Sequence, residues 1–410
     1  MNLPREERTL PPSGLPGVPR RPAFRFRFGL PFSRLVLTLA AGVTLAAGCG
    51  SGSPAAPEEP APTGPGTSRG MVDDPQVRSI PPGATRHFFA GPTLEASVRP
   101  NALGDAQVLY YDVYAPTGPP LGITVIYLHG GGYNVGYANN QGIVGACRHL
   151  GELGAWCISV EYRRGWHGGG SSAVAGTPIT ATDRTRFDVA LELARTDVLD
   201  GWAHAHAEAR GIHGFPGIYV VMGESAGGSL ASRVTLTNPS LGLPVVGVIV
   251  GFGTHGADEP VMQSGFPVVI QGGLFDPIQP AYDAPLYFSP EMPPAKGLFT
   301  LYEELRGRGA PARLLLGAQD GHGFGSYARS GGGGDHYAEA LAFFRDVARG
   351  ETLHSWVEYR FRRSDPRVPE AGAGVRIRTT DRPGFRYEPY QSELAAGAHP
   401  DSVRARWGLE

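Results

Sequence analysis

Between residues 105 and 348 the apolar segments change period repeatedly, and this alternation restricts the possible folds more than any other feature of the chain. Residues 108–114 and 123–128 read as strands, 141–153 as a helix and 155–162 as a strand again. A long helical stretch over 182–210 carries Phe187, Leu191, Ala194 and Val198 at helical intervals, and a β-branched run over 218–222 follows it. The pattern continues as helix 226–236, strands 245–250 and 268–271, helix 298–306, strand 313–316 and helix 336–347. Strands alternating with helices, some of them short and wholly apolar, predict an α/β domain with a mainly parallel central sheet and helices on both faces. The expected bounds of that domain are residues 71–348, and 41% hydrophobic content is enough to give it a core.

The flanks differ in composition. An arginine-bearing stretch (Arg20, Arg21, Arg25, Arg27, Arg34) precedes an apolar run from Leu35 to Ala47, which ends in Ala46-Ala47-Gly48-Cys49. That is the order of an export signal, expected over residues 1–48, and the run is shorter than the roughly 20 residues a spanning helix needs. The ending resembles the lipobox of bacterial lipoproteins, which implies cleavage before Cys49 and lipid attachment to it. The expectation is export from the bacterial cytoplasm and a lipoprotein at the periplasmic or outer cell surface, touching membrane only through that anchor. An ordinary secreted protein cut nearby is the alternative. Residues 49–70, rich in Gly, Ser, Pro and Ala, read as a disordered tether. Residues 349–410 break the alternation and read as a carboxyl-terminal extension of unassigned role, either packed on the surface or contributing to a substrate pocket.

Charge and cysteine content narrow the partners. A net charge of −2 and a pI near 6.6 remove any general electrostatic reason to expect nucleic acid or an anionic membrane surface as the main partner. Cys147 and Cys157 lie ten residues apart across a predicted helix-to-strand turn, and they read equally as a disulfide or as two buried small hydrophobes. No close Cys/His grouping has zinc spacing, and His204-Ala-His206 places its rings on different helical faces, so neither metal nor cofactor is expected.

Gly223-Glu224-Ser225-Ala226-Gly227 is a G-x-S-x-G string, but in a chain with 60 glycines chance alone gives roughly 0.5 of these. Its setting is more specific. Ser225 follows a strand and precedes a helix, as a nucleophile elbow requires, and the helix start behind it favours negative charge on a substrate oxygen. His129-Gly130-Gly131-Gly132-Tyr133 ends another strand, where chance predicts only about 0.04 such H-G-G-G strings. Glycines let a backbone turn its N–H groups toward an oxyanion, which makes Gly131, Gly132 and Ala226 the candidate donors. His167-Gly168-Gly169-Gly170 spells the same string, but it lies several residues past its strand in a Gly/Ser-rich loop.

H-G-G-G-Y followed by G-E-S-A-G-G resembles the esterases related to hormone-sensitive lipase and the bacterial carboxylesterases, over roughly residues 105–348. The resemblance implies the α/β-hydrolase fold. It also implies an acid in the setting of Gly273-Leu-Phe-Asp276-Pro277-Ile278 and a base in Asp320-Gly321-His322-Gly323-Phe324. The implied triad is Ser225, Asp276 and His322, in the chain order of that fold. His322 would take the Ser225 proton and return it to the leaving alcohol, while Asp276 would hold the imidazole tautomer. Asp258, Asp283 and His336 are poorer rivals, being further from strand ends or at a helix start, and Asp320 is expected to point elsewhere. Glu224 and Glu161-Tyr162-Arg163 depart from the family's usual residues at those places.

Little chain separates Ser225 from Asp276, so no large lid domain is inserted there. The topology predicts an open site for short or medium acyl esters on a small molecule or a polymer. A serine peptidase of related fold and a catalytically inactive surface-binding module are the competing readings. Residues 70–105, the loop 165–178 and the carboxyl-terminal extension are the candidate covers.

Overall fold

In the strand over residues 124–128, Val125 and Tyr127 face one side of the sheet and Ile126 and Leu128 the other, and all four are buried. A strand that is apolar on both faces must sit inside a sheet covered on both sides. The computed structural model describes residues 74–167, 179–208, 214–238, 242–262, 265–318, 320–323, 335–351, 355–360, 376–378, 393 and 398–406. All of these lie in the unit Ala61–Glu410. The expected signal and tether, with Cys49, fall outside the described residues.

The main sheet has ten strands among the described residues. They are β1 (Ala84–Phe88), β2 (Tyr110–Tyr114), β3 (Thr124–Leu128), β4 (Trp156–Val160), β5 (Tyr219–Glu224), β6 (Val245–Gly251), β7 (Val268–Gly273), β8 (Ala312–Gly317), β9 (Trp356–Arg360) and β10 (Arg376–Arg378). Their order across the sheet is β1-β2-β4-β3-β5-β6-β7-β8-β9-β10. Pairing is parallel from β4 through β9 and antiparallel at both edges.

Six helices matter for the site: α1 (Gln141–Glu152), α2 (Ala181–Glu208), α3 (Ala226–Leu236), α4 (Leu298–Gly307), α5 (His336–Ala348) and α6 (Pro400–Arg406). Phe187 of α2, Leu230 of α3 and Leu301 of α4 pack with Ile126 and Leu128 on one face. Ile143 of α1 and Phe344 of α5 pack with Val125 and Tyr127 on the other. Each such side chain removed from water contributes roughly 1.5–3 kcal/mol. Local signals set the helix starts: the Asn140 side chain accepts the Ile143 N–H at 3.0 Å, and the Asp335 side chain accepts that of Ala338 at 3.1 Å. Among the described residues no helix is long and apolar enough to cross a membrane.

The alternating segments fall where their periodicity places them, and both faces of the sheet carry helices as expected. The sheet nevertheless continues past residue 348, where the sequence reading ends the domain. All five residues of β9 are buried, and β9 runs parallel to β8 in register from Arg313 with Trp356 to Gly317 with Arg360. Its charges hide it from a periodicity reading. Arg360 pairs with Glu358 at 2.6 Å and with Glu339 of α5 at 2.7 Å, so two ionic side chains occupy a buried strand because they neutralise each other.

Cys147 of α1 and Cys157 of β4 are joined as a disulfide, with Cα atoms 5.3 Å apart. The bond closes a loop of about ten residues, which in the chain-entropy view stabilises the fold by roughly 2–3 kcal/mol. Replacing both cysteines with alanine is therefore expected to lower the denaturant midpoint of the oxidised protein. An unchanged midpoint would contradict that role.

Candidate active site

Four of the parallel strands deliver a functional loop at their carboxyl ends, so their side-by-side order brings distant segments together. β5 ends at Glu224, and Ser225 turns directly into α3 with φ 56° and ψ −121°. A non-glycine residue held there is strained by about 1–3 kcal/mol and persists only because its neighbours dictate it. Ser225 N–H donates to the Gly251 carbonyl at 2.8 Å, and the Ser225 carbonyl accepts from Ser229 N–H at 3.0 Å. The tight turn explains the flanking glycines. A Cβ on Gly227 would lie 2.0 Å from the Leu128 carbonyl oxygen, and one on Gly223 would lie 2.4 Å from the Gly227 carbonyl.

The predicted nucleophile, base and acid meet. His322 Nε2 lies 2.8 Å from Ser225 Oγ, and His322 Nδ1 lies 2.7 Å from Asp276 Oδ2. Asp276 is buried, and its other oxygen accepts the backbone N–H groups of Ile278 at 2.8 Å and Gln279 at 2.9 Å. Those bonds fix the carboxylate plane. The acid and base loops are tied to each other as well, because Phe275 N–H donates to the Asp320 carbonyl at 3.0 Å. The ring of Phe252 stands edge-on to His322 at 5.9 Å. The rivals have other placements. Asp283 accepts the Gly297 N–H at 2.7 Å, the Asp320 side chain lies against Gly317, His336 opens α5, and Asp258 lines a separate cleft beside Arg184 and Glu259.

The glycine loop after β3 reaches the same place. Gly131 and Gly132 adopt φ 116° and φ 62°, which glycine tolerates best, and among the described residues no hydrogen bond uses the N–H of Gly131, Gly132 or Ala226. The loop is pinned from several sides. Tyr133 Oη donates to the Ala226 carbonyl at 3.1 Å, Trp166 Nε1 donates to the Gly132 carbonyl at 2.8 Å, and the Tyr162 hydroxyl donates to the His129 carbonyl. His129 stacks on Tyr162 with ring centres 4.0 Å apart and approaches Glu161 at 3.5 Å. Burial alone would raise the Glu161 carboxyl, but Arg164 and His129 outweigh it and hold it below the ordinary carboxylate range. Beside Ser225, Glu224 accepts hydroxyl bonds from Tyr127 at 2.8 Å and Tyr337 at 3.1 Å. Of the competing His167 string, the His167 N–H donates to Asn134 Oδ1 at 3.1 Å, and residues 168–170 lie outside the described residues.

Sequence reasoning missed Trp166, which carries no motif, and the excursion after Asp276. Residues 284–285 there pair with 294–295, and 295–296 pair with 255–256, in a small separate sheet, and Leu286–Phe288 forms a single turn after the first of these segments. Tyr287 and Phe288 both have positive φ, at 55° and 52°. A Cβ on Gly132 would come within 2.6 Å of the Tyr287 hydroxyl, so this turn is part of the cover. The Phe288 ring in turn meets His399 at 5.3 Å, just before α6. Among the described residues no cluster of His, Cys, Asp and Glu could hold a metal ion.

Strand order, helices on both faces and loops after β3, β5, β7 and β8 meeting at one edge are the expected α/β-hydrolase fold. No protein-family model and no curated protein matches the chain. Similar solved structures include an arylesterase at 15% identity, covering 58% of this chain and 80% of that one with a TM-score of 0.41. Another is a thermophilic esterase from the Planctomycetes species Thermogutta terrifontis with propionate bound, at 16% identity, covering 66% and 94%, TM-score 0.42. A bacterial heroin esterase stands at 18% identity, covering 66% and 86%, TM-score 0.40.

Proposed function

We propose that the protein is a serine carboxylic-ester hydrolase that works through an acyl-enzyme. The unbroken relay from Ser225 Oγ through His322 to Asp276, with the glycine loop beside it, carries this reading. His322 Nε2 takes the Ser225 proton as Oγ attacks an ester carbonyl, and returns that proton to the departing alcohol. Asp276 keeps the other ring proton on Nδ1 and balances the imidazolium that forms. The N–H groups of Gly131, Gly132 and Ala226 are the donors for the oxyanion, at the start of α3 where the helix end also favours negative charge. No cofactor enters these steps.

The substrate reading is an ester with a short or medium acyl group on a small molecule or a polymer. The cover at Gly132 includes the single turn Leu286–Phe288, and the short stretch of chain between Ser225 and Asp276 adds no large lid, which supports a shallow acyl site rather than a long apolar tunnel. Two measurements on one preparation test the proposal. A fluorophosphonate is expected to label one peptide, that containing Ser225, and p-nitrophenyl acetate to butyrate to be hydrolysed faster than the palmitate ester. A folded protein that is neither labelled nor active on any of these esters would end the reading, and a maximum at palmitate would end its acyl-length part. Faster cleavage of amides than of matched esters would favour a peptidase instead.

A further inference from the structure

The Tyr287 hydroxyl lies against the glycine loop at Gly132. Its Oη would be 2.6 Å from a Cβ on Gly132, which puts it in contact with the backbone that offers the oxyanion N–H groups. Among the described residues no group hydrogen-bonds to that hydroxyl, whereas the hydroxyls of Tyr133, Tyr162, Tyr127 and Tyr337 go to Ala226, His129 and Glu224. The turn holding Tyr287 is strained, with φ 55° and ψ 13° there and φ 52° at Phe288. Strain of that kind survives only where packing on several sides dictates it, and it gathers at working sites. The packing is present: Tyr287 N–H donates to the Ile278 carbonyl at 3.0 Å, two residues beyond Asp276, Leu286 is buried, and Phe288 meets His399.

We propose that the Tyr287 hydroxyl is a catalytic side-chain donor to the carbonyl oxygen of the substrate, completing the oxyanion site with the N–H groups of Gly131, Gly132 and Ala226. This rests on the esterase reading. As Ser225 Oγ bonds to the carbonyl carbon, the carbonyl π electrons move to oxygen and the Ser225 proton moves to His322 Nε2. The oxygen then accepts a hydrogen bond from Tyr287 Oη–H, whose proton stays on tyrosine throughout. When the pair returns to remake the carbonyl, the carbon–oxygen bond to the alcohol breaks and the alcohol leaves with the His322 proton. Burial pushes the Tyr287 hydroxyl up to about 12, and the nearby Asp276 carboxylate adds to the shift, so the donor is protonated at neutral pH.

Tyr287→Phe removes the donor and keeps the ring. With rates counted per serine labelled at completion by a fluorophosphonate, kcat on p-nitrophenyl acetate is expected to fall roughly 10²-fold with KM unchanged, as for loss of one oxyanion donor. The variant should also bind a trifluoromethyl ketone, which Ser225 converts to a charged hemiketal, about 10²-fold more weakly while binding the matched neutral methyl ketone as before. A kcat within threefold of wild type, or equal weakening for both ketones, overturns the role and leaves Tyr287 as a pocket wall. Failure of the esterase reading is distinguishable and overturns both: wild type itself would then show neither labelling nor hydrolysis.

Discussion

Ser225→Ala is expected to lower kcat on p-nitrophenyl acetate by about 10⁴- to 10⁶-fold, leaving the residue of activity that binding and the oxyanion donors supply on their own. Without Oγ no acyl-enzyme forms, and His322 Nε2 faces a methyl group instead of the hydroxyl now 2.8 Å away. Fluorophosphonate labelling should vanish with the activity. The fold should not follow, because alanine meets the same backbone at φ 56° as serine does, and the bond from Ser225 N–H to the Gly251 carbonyl uses no side chain. A melting midpoint close to wild type with activity gone identifies a lost nucleophile. A variant keeping more than about a hundredth of wild-type kcat would contradict the assignment, since triad removal costs far more than that.

Asp276→Asn is expected to lower kcat by about 10⁴-fold while leaving the protein folded. The Asp276 oxygens have divided duties: Oδ1 accepts two backbone N–H groups, and Oδ2 accepts from His322 Nδ1. An asparagine can keep the first duty only by turning its amide NH₂ toward His322. That forces the ring proton onto Nε2, where the lone pair is needed to accept from Ser225. The flipped amide instead points its NH₂ at two N–H donors in a buried site, which is worse. Because the three side chains act as a unit, Ser225→Ala with Asp276→Asn should be no slower than Ser225→Ala alone. A single Asp276→Asn variant within tenfold of wild type would show that the carboxylate does not set the tautomer.

The fold was most legible where burial is local and apolar. The helix expected over 226–236 is α3 to the residue, and β3, β6 and β7 fall on runs of apolar side chains. Legibility failed where burial depends on a distant partner. In β1, Ala84-Thr-Arg-His-Phe88 has no strand alternation, yet it pairs with β2 because Arg86 reaches Asp112 at 2.7 Å across the register. β9 was missed for the same reason, its Arg360 and Glu358 being acceptable inside a sheet only as a pair with Glu339 at hand. The site shows the same division. Ser225 and His129 to Gly132 are legible as motifs just after apolar strands, and Asp276 and His322 as what the resemblance of those motifs implies, whereas Tyr287 stands in an excursion with no periodicity at all.

What the chain carries in its own order is thus the list of parts: a parallel sheet with helices on both sides, and four loops at strand ends bearing a serine, three glycines, an acid and a histidine. Hydrophobic period and turn chemistry are properties of neighbouring residues, so they can be read along the sequence. The tertiary structure alone decided that Cys147 and Cys157 are bonded and that His322 bridges groups 97 and 46 residues away at 2.8 and 2.7 Å. It also decided that Tyr287 lies against Gly132. Such contacts act over a few ångströms between segments far apart in the chain, and only the packing of the sheet and its cover brings those segments within that range.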